Sequence, residues 1–153
     1  MAGQTTFSQD PAAAIEGMIA DIAPRTVISR ALGDAAGIGA GRVVKDGATI
    51  GEQCATLTAS GQKMIGVTTL DLYREPRTPR YAQNDDIGVM KEGFIYMTCV
   101  DDMRAVTGPV NICVSGANAG LPQASSVGAD LCPQITVDVG ANTGLVGRFR
   151  VAF

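Results

Sequence analysis

Histidine and tryptophan are both absent from this 153-residue sequence, and charged residues make up only 18% of it. Histidine is the side chain that titrates near neutral pH, and it is the commonest metal ligand in proteins. Its absence excludes Ser/His/Asp and Cys/His nucleophilic systems, as well as zinc or haem sites that histidine ligates. Catalysis by a histidine base is therefore excluded.

The sequence is also poor in clustered charge. Twelve Lys and Arg residues stand against 15 Asp and Glu, which gives a net charge of −3. A nucleic-acid backbone is bound by a clustered basic surface, so we expect no nucleic-acid partner. The longest uncharged stretch, residues 105–129, is interrupted by Gly, Pro, Asn and Ser, and we expect no membrane span. No secretory signal is visible at the N-terminus, which predicts synthesis in a cytoplasm.

Four cysteines are present, at Cys54, Cys99, Cys113 and Cys132, and no Cys-x-x-Cys pair occurs. This spacing excludes the usual zinc-ribbon and thioredoxin-type motifs. A buried free thiol behaves as a small hydrophobic side chain. We expect four reduced, structural cysteines.

Short apolar runs separated by Gly, Pro, Asn and Asp recur from about residue 25 to the end, a pattern typical of an all-β sandwich or barrel. The clearest hairpin joins residues 87–90 to residues 94–97 through a loop in which Gly93 supplies a left-handed residue. We expect a polar N-terminal arm over residues 1–12 and a single β domain over residues 13–153. The candidate strands are residues 26–30, 42–45, 63–69, 87–91, 94–100, 110–114, 134–139 and 145–153.

One segment has helical spacing. Ile15, Met18, Ile19 and Ile22 recur at i, i+3, i+4 and i+7, so the pattern predicts a helix over residues 10–22. Gly17 weakens that helix by about 1 kcal/mol relative to Ala.

The most distinctive segment is the loop at residues 71–81, which concentrates arginine, tyrosine and proline. Tyr and Arg are enriched in protein–protein hot spots, so the loop is a candidate interface; the alternative is an ordinary connection kept soluble by its arginines. The N-terminal arm is a second candidate, able to order on a neighbouring subunit, with a frayed terminus as the alternative. The candidate contact residues are Thr5, Thr6, Phe7, Tyr73, Arg74, Arg77, Arg80 and Tyr81.

Two acidic pairs, Asp85–Asp86 and Asp101–Asp102, could suggest a metal or acid–base site. Adjacent residues of an extended chain point in opposite directions, so neither pair can aim both carboxylates at one point. We expect turn residues there and no metal. The glycine-rich residues 37–41 lack the Lys-Ser/Thr of a phosphate loop, and they predict a tight turn before the next strand.

Residues 66–114 contain short strand and turn motifs in a particular order. A Gly-Val-Thr-Thr strand is followed by a loop ending in Tyr81-x-x-x-Asp85, then by a strand and a Gly turn, and then by a Val-Thr-Gly turn that opens another strand. This order resembles the head cement, or capsid decoration, proteins of tailed bacteriophages. The segments that carry the resemblance are residues 66–69, 81–85, 87–93, 94–97 and 106–112, with residues 17–21, 27–30 and 41–44 upstream.

The resemblance implies a compact antiparallel sandwich or barrel, jelly-roll-like, in which residues 15–19 are extended rather than helical. It implies a non-catalytic protein on the capsid exterior of the virion, made in the host cytoplasm, which binds the major capsid protein and bridges capsomers. Such a protein at a symmetry axis should self-associate, as a homotrimer or alternatively a homodimer. The arm and the loop would supply the contacts, and no cofactor is implied.

Other functions remain open at this stage. A tail or neck connector or a glycan-binding β-sandwich on the virion surface would share the composition, although a glycan binder usually offers more aromatic platforms than three tyrosines and no tryptophan. A small trimeric nucleotide hydrolase resembling dUTPase is disfavoured. Tyr73, Tyr81 and Tyr96 do not lie in that family's motif, and the C-terminus has the pattern of a strand.

Overall fold

The computed structural model describes residues 14–20, 24–72 and 80–153. Within these ranges the chain forms strands without helices, which confirms the all-β prediction, and no helix there is long and apolar enough to cross a membrane. The strands of the described residues are β1 (Thr26–Leu32), β2 (Val43–Asp46), β3 (Gln53–Thr56), β4 (Met64–Thr68), β5 (Asp86–Thr98), β6 (Pro109–Cys113), β7 (Pro122–Gln123), β8 (Ala129–Val139) and β9 (Val146–Ala152).

Five of the strands close into a barrel. They are hydrogen-bonded in the order β1-β3-β2-β4-β5, and β1 pairs again with β5 to complete the circle. The pairing of β1 with β3 is parallel, with Ala31 opposite Gln53, while the other pairings between described strands are antiparallel. Closure leaves no strand edge in the barrel itself. Of the two expected architectures, sandwich or barrel, the structure therefore has the barrel.

The long strand β5 joins this barrel to a second set of strands. Its first half pairs with β1 and β4, and its second half pairs with β9, from which the sheet continues through β8 and β6 to β7. The predicted hairpin at residues 87–97 is wrong, because the two halves form one continuous strand. Gly93 does have a positive φ, +132°, but it lies at a bend in the strand, next to an irregularity in the pairing with β1.

Two apolar clusters fill the fold. One lies among the barrel strands and includes Leu32, Val44 and Val89. The other includes Phe149 and Ile135 of the added strands, and it also contains Val43, Val67 and Met90 of the barrel strands. Those three residues are opposite one another in register, so their side chains share one face of the barrel. The barrel wall thus has one core on each side.

Residues 14–20 do not form the helix that the apolar spacing predicted. The chain turns at Glu16 and Gly17, and Ile19 then makes an isolated antiparallel bridge to Ile95 of β5. The segment is irregular, and its apolar side chains, which have the spacing of a helix in the sequence, pack on the sheet. Ile19 packs against the second cluster. The extended conformation expected for residues 15–19 is present only at its end, and residues 10–13 and 21–22 lie outside the described residues.

The predicted structural role of the cysteines agrees with their positions. Cys54, Cys99, Cys113 and Cys132 are buried and carry free thiols. Burial raises the pKa of Cys54 and of Cys132 to about 11, because the thiolate would lose its hydration. These thiols act as core side chains and not as nucleophiles.

The prediction of turns at the acidic pairs holds for Asp85 and Asp102, whereas Asp86 is the first residue of β5. The Asp85 carboxylate accepts a hydrogen bond from the Ala82 amide at 2.7 Å, and the Asp102 carboxylate accepts one from the Arg104 amide at 3.1 Å. The glycine-rich residues 37–41 also form the predicted turn, with positive φ at Gly37 and Gly41. No cluster of three metal-ligating side chains occurs in the part of the chain that the structure describes.

Candidate functional site

Tyr81 fixes the C-terminal end of the arginine-rich loop. Its main chain forms an isolated bridge with Ile38, in which each amide donates to the other's carbonyl at 2.9 Å. Its ring is 1% exposed and packs in the barrel cluster. Its hydroxyl donates to the carbonyl of Thr69 and accepts from the amide of Asp71, 2.9 Å away. One buried side chain thereby holds both ends of the loop together.

Arg80 and Leu72 lie next to the two ends of the loop. Arg80 donates from its guanidinium to the carbonyl of Asp71. On the other side Leu72 is 73% exposed, so an apolar side chain lies in solvent next to Asp71. We call Thr69, Asp71, Arg80 and Tyr81 the loop base. Its hydrogen bonds fix the described residues on either side of the loop.

The N-terminal segment is anchored beside this loop base. The Gly17 amide donates to the carbonyl of Tyr96 at 2.7 Å, and the Gly17 carbonyl accepts from the amide of Leu70 at 2.7 Å. The Gly17 φ is +76°, and a β-carbon on it would lie 2.4 Å from the Cβ of Ala40 and 2.8 Å from the amide nitrogen of Gly41. Real contacts of that kind do not occur, so the crossing requires glycine at this position.

The two predicted contact segments therefore start from one place. The loop leaves the described structure after Leu72, and the arm leaves it at Ala14, three residues before Gly17. Three residues of extended chain span at most about 10 Å. The hydrogen bond between Gly17 and Leu70 thus places the origins of arm and loop on the same part of the surface.

The individual candidate residues divide into two groups. Arg80 and Tyr81 lie in the loop base, where the Tyr81 ring is enclosed and acts by holding the loop, so it offers no exposed surface in the chain by itself. The other six lie outside the described residues: Thr5, Thr6, Phe7, Tyr73, Arg74 and Arg77.

A polar network supports the crossing of the N-terminal segment. Glu16 accepts a hydrogen bond from the Thr98 hydroxyl at 2.8 Å. Arg42 donates from one nitrogen to the carbonyls of Ala117 at 2.7 Å and Ala119 at 2.9 Å. Burial lowers the pKa of Arg42, and the negative charge of Glu16 opposes that effect. The network ties the loop at residues 117–119 to the barrel strand β2.

A second exposed surface was not identified from the sequence. On the outward face of β5 and β9, Phe94 is opposite Arg150 and Tyr96 is opposite Arg148. The Arg148 guanidinium lies 5.9 Å from the centre of the Phe94 ring and pairs with Asp138. The alternation of Arg148 and Arg150 with apolar neighbours was the available signal, but only the register shows which aromatic residues they meet.

Taken together, the described residues place a fixed loop base next to the crossing of the N-terminal segment. A family model described as "Structural cement protein (E217 gp24/Pam3 gp6)" matches residues 3–151. The chain belongs to this family. The resemblance to phage head cement proteins is thereby confirmed, and the protein is a structural component associated with a bacteriophage capsid.

A solved structure has the same fold. It is a chain described under "The capsid of Myoviridae Phage XM1", with a TM-score of 0.74 and 19% sequence identity, and the match covers 99% of this chain and 98% of that one. At that identity the likeness establishes the shared fold. A comparison with curated protein sequences gives no match.

Proposed function

We propose that this cement protein binds the outer surface of the major capsid protein shell, bridges neighbouring capsomers, and acts without catalysis. The proposal rests on its membership of the structural cement protein family over residues 3–151. The loop base supports it, since a rigid platform from which two contact segments start suits attachment to a large neighbour. A shell that is held at several points resists the separation of its capsomers.

Two contacts from one platform also suit the energetics of attachment. Once the first segment is bound, the second meets its site at high effective concentration, so two modest contacts give tight binding. We assign these contacts to the arm (Thr5, Thr6, Phe7) and to the loop (Tyr73, Arg74, Arg77). The loop arginines would meet acidic or carbonyl groups of the shell through bidentate hydrogen bonds.

The proposed arrangement has an arm at residues 1–12 and one β domain at residues 13–153. The protein would be made in the host cytoplasm and carried on the capsid exterior of the virion. At a symmetry axis of the shell several copies meet, so we propose a homotrimer, with a homodimer as the alternative.

Binding of the purified protein to shells that lack it tests the proposal. Two variants probe the contacts separately: Arg74→Ala with Arg77→Ala, and a deletion of residues 1–9. Arg80 is left in place because its guanidinium is bonded to the loop base. Arg104→Ala is the matched control, since Arg104 is an exposed arginine whose ion-pair partner among the described residues is Asp102.

Each of the two variants should bind at least about tenfold more weakly, the loss expected for central interface arginines, and the control should bind as wild type does. If both variants bind as tightly as wild type, the assignment of the contacts is wrong. If wild-type protein does not bind the shells at all, the proposed function is wrong.

A further inference from the structure

The three lysines of the chain converge on Met64. Lys63 is its neighbour, Lys45 is opposite it in the pairing of β2 with β4, and Lys91 lines the same surface depression. The net charge of the chain is −3, yet its three lysines lie close to one another and are not spread evenly over the surface. The convergence comes from the barrel topology, because the three residues belong to or adjoin different strands.

Lys63 and Lys91 line two adjoining concavities, and Lys45 lies next to them through its pairing with Met64. One, of about 530 Å³, lies between Ser60 and Gln134, and the other, of about 380 Å³, lies between Arg30 and Phe153. They share Lys63, Met64 and Gln134, so they form one elongated groove, which we call the lysine groove.

The lining of the groove carries more positive than negative charge. Among the described residues, neither Lys63 nor Lys91 forms an ion pair. The groove also contains the carboxylates of Asp46 and Asp130. The Asp130 carboxylate accepts hydrogen bonds from the Gly61 amide at 2.6 Å and from the Ser60 hydroxyl. Against these two carboxylates the lining holds three cations, Arg30, Lys63 and Lys91.

The two ends of the groove are apolar. Ile50 is 82% exposed at one end, and Leu131 is 62% exposed at the other. Met64 lies half-buried between them, packed on the second apolar cluster. Large exposed apolar side chains that flank unpaired cations are characteristic of a protein-binding surface.

From this combination we infer that the lysine groove binds an acidic, extended segment of the shell protein. Charge complementarity favours an acidic segment, since the lining has more cations than carboxylates and neither Lys63 nor Lys91 is in an ion pair among the described residues. The elongated shape and the apolar ends fit an extended polypeptide with apolar side chains on either side of its acidic residues. This inference rests on the proposed function and adds a third contact, separate from the arm and the loop.

Charge reversal tests the inference in the same shell-binding measurement. The variants are the full chain with Lys63→Glu, with Lys91→Glu and with both changes. The control for each single reversal is Arg104→Glu, which changes the net charge by the same amount at an exposed cation outside the groove. All variants and the control are checked by circular dichroism and thermal unfolding to establish that they are folded. Binding is measured at low and at high salt.

At low salt the double variant should bind shells at least about tenfold more weakly than wild type, and the difference should shrink at high salt because screening weakens the attraction. The control should stay within about twofold of wild type. If wild type binds and the double variant binds equally well, the inference is overturned while the proposed function stands.

A second copy of the chain is the competing occupant. Sedimentation of wild type and double variant in the absence of shells separates the two cases. A change of oligomeric state in the double variant with unchanged shell affinity would overturn the inference. An unchanged oligomeric state with weakened, salt-dependent shell binding would support it.

Discussion

The Gly17 carbonyl accepts a hydrogen bond from the Leu70 amide at a nitrogen–oxygen distance of 2.7 Å. The two residues are far apart in sequence, yet one precedes the arginine-rich loop and the other follows the N-terminal arm. This contact brings together the described residues next to which the two segments begin. Changes that loosen the contact should therefore affect both segments together.

The Gly17→Ala substitution tests the close packing at this crossing. A β-carbon would overlap Ala40, and the φ of +76° is unfavourable for alanine. The two effects together should lower the free energy of unfolding by about 2–4 kcal/mol, measured in urea. Gly61→Ala is the matched control, because its φ is +77° and nothing lies within 4 Å of an added β-carbon. Gly61→Ala should lower the free energy of unfolding only through the unfavourable φ, by about 1–2 kcal/mol. Equal losses in both variants would contradict this packing.

The Tyr81→Phe substitution tests the loop base. It removes the hydroxyl that bonds Thr69 and Asp71 in a fully buried position. Leaving buried polar groups without a partner should cost about 1–3 kcal/mol of unfolding free energy, and amide hydrogen exchange at Asp71 should become faster. The Tyr96 hydroxyl makes no hydrogen bond to a described residue, so Tyr96→Phe should change stability by no more than about 0.5 kcal/mol. A stable Tyr81→Phe variant with unchanged exchange would refute the role of this hydroxyl.

The buried thiols predict how stability depends on alkaline pH. The pKa of Cys54 and Cys132 is raised to about 11 from the ordinary value of 9.0, so above pH 9 the unfolded chain loses thiol protons that the folded chain retains. The unfolding free energy should therefore be insensitive to these thiols below pH 9 and should fall between pH 9 and 11. Urea unfolding at several pH values measures this slope. Replacing both residues with alanine should make the slope shallower, whatever its effect on absolute stability, and an unchanged slope would count against the assignment.

The Arg104–Asp102 pair gives a local test by NMR titration. The hydrogen bond from the Arg104 side chain is the main reason why the pKa of Asp102 is lowered to about 2. In Arg104→Ala the pKa of Asp102 should rise towards 3.8, its ordinary value. Because both side chains are exposed, global stability should be almost unchanged. A pKa that stays near 2 would show that another group holds the carboxylate.

The sequence predicted those strands whose residues alternate between apolar and polar, or are apolar throughout, between clear turn residues. Five of them, β1, β2, β4, β6 and β9, occur within a few residues of their predicted positions. It did not reveal β3, because Gln53–Thr56 is short and half polar and becomes a strand through its pairing with β1 and β2. It divided β5 at Gly93, since a positive φ there is compatible with a turn and with a bent strand alike. Only the presence of partners on both halves of β5 decides between them.

Part of the candidate site could be predicted from the sequence. Unusual composition identified the arginine-rich loop, and the structure shows that its ends are locked by Tyr81 and Arg80. The burial of the Tyr81 ring could not be read from the local sequence, because it depends on contacts with the distant Ile38 bridge. The lysine groove could not be predicted from the local sequence, since Lys63 and Lys91 are far apart along the chain and line one groove only in the folded barrel.

Cryo-electron microscopy of capsids with and without this protein tests the central claim most directly. We predict density for the β domain on the outer surface of the shell, repeated at symmetry-related positions, with each copy or cluster of copies touching more than one capsomer. The loop base should face the shell. Density confined to the tail or to a single vertex, or no density on the shell at all, would contradict the account.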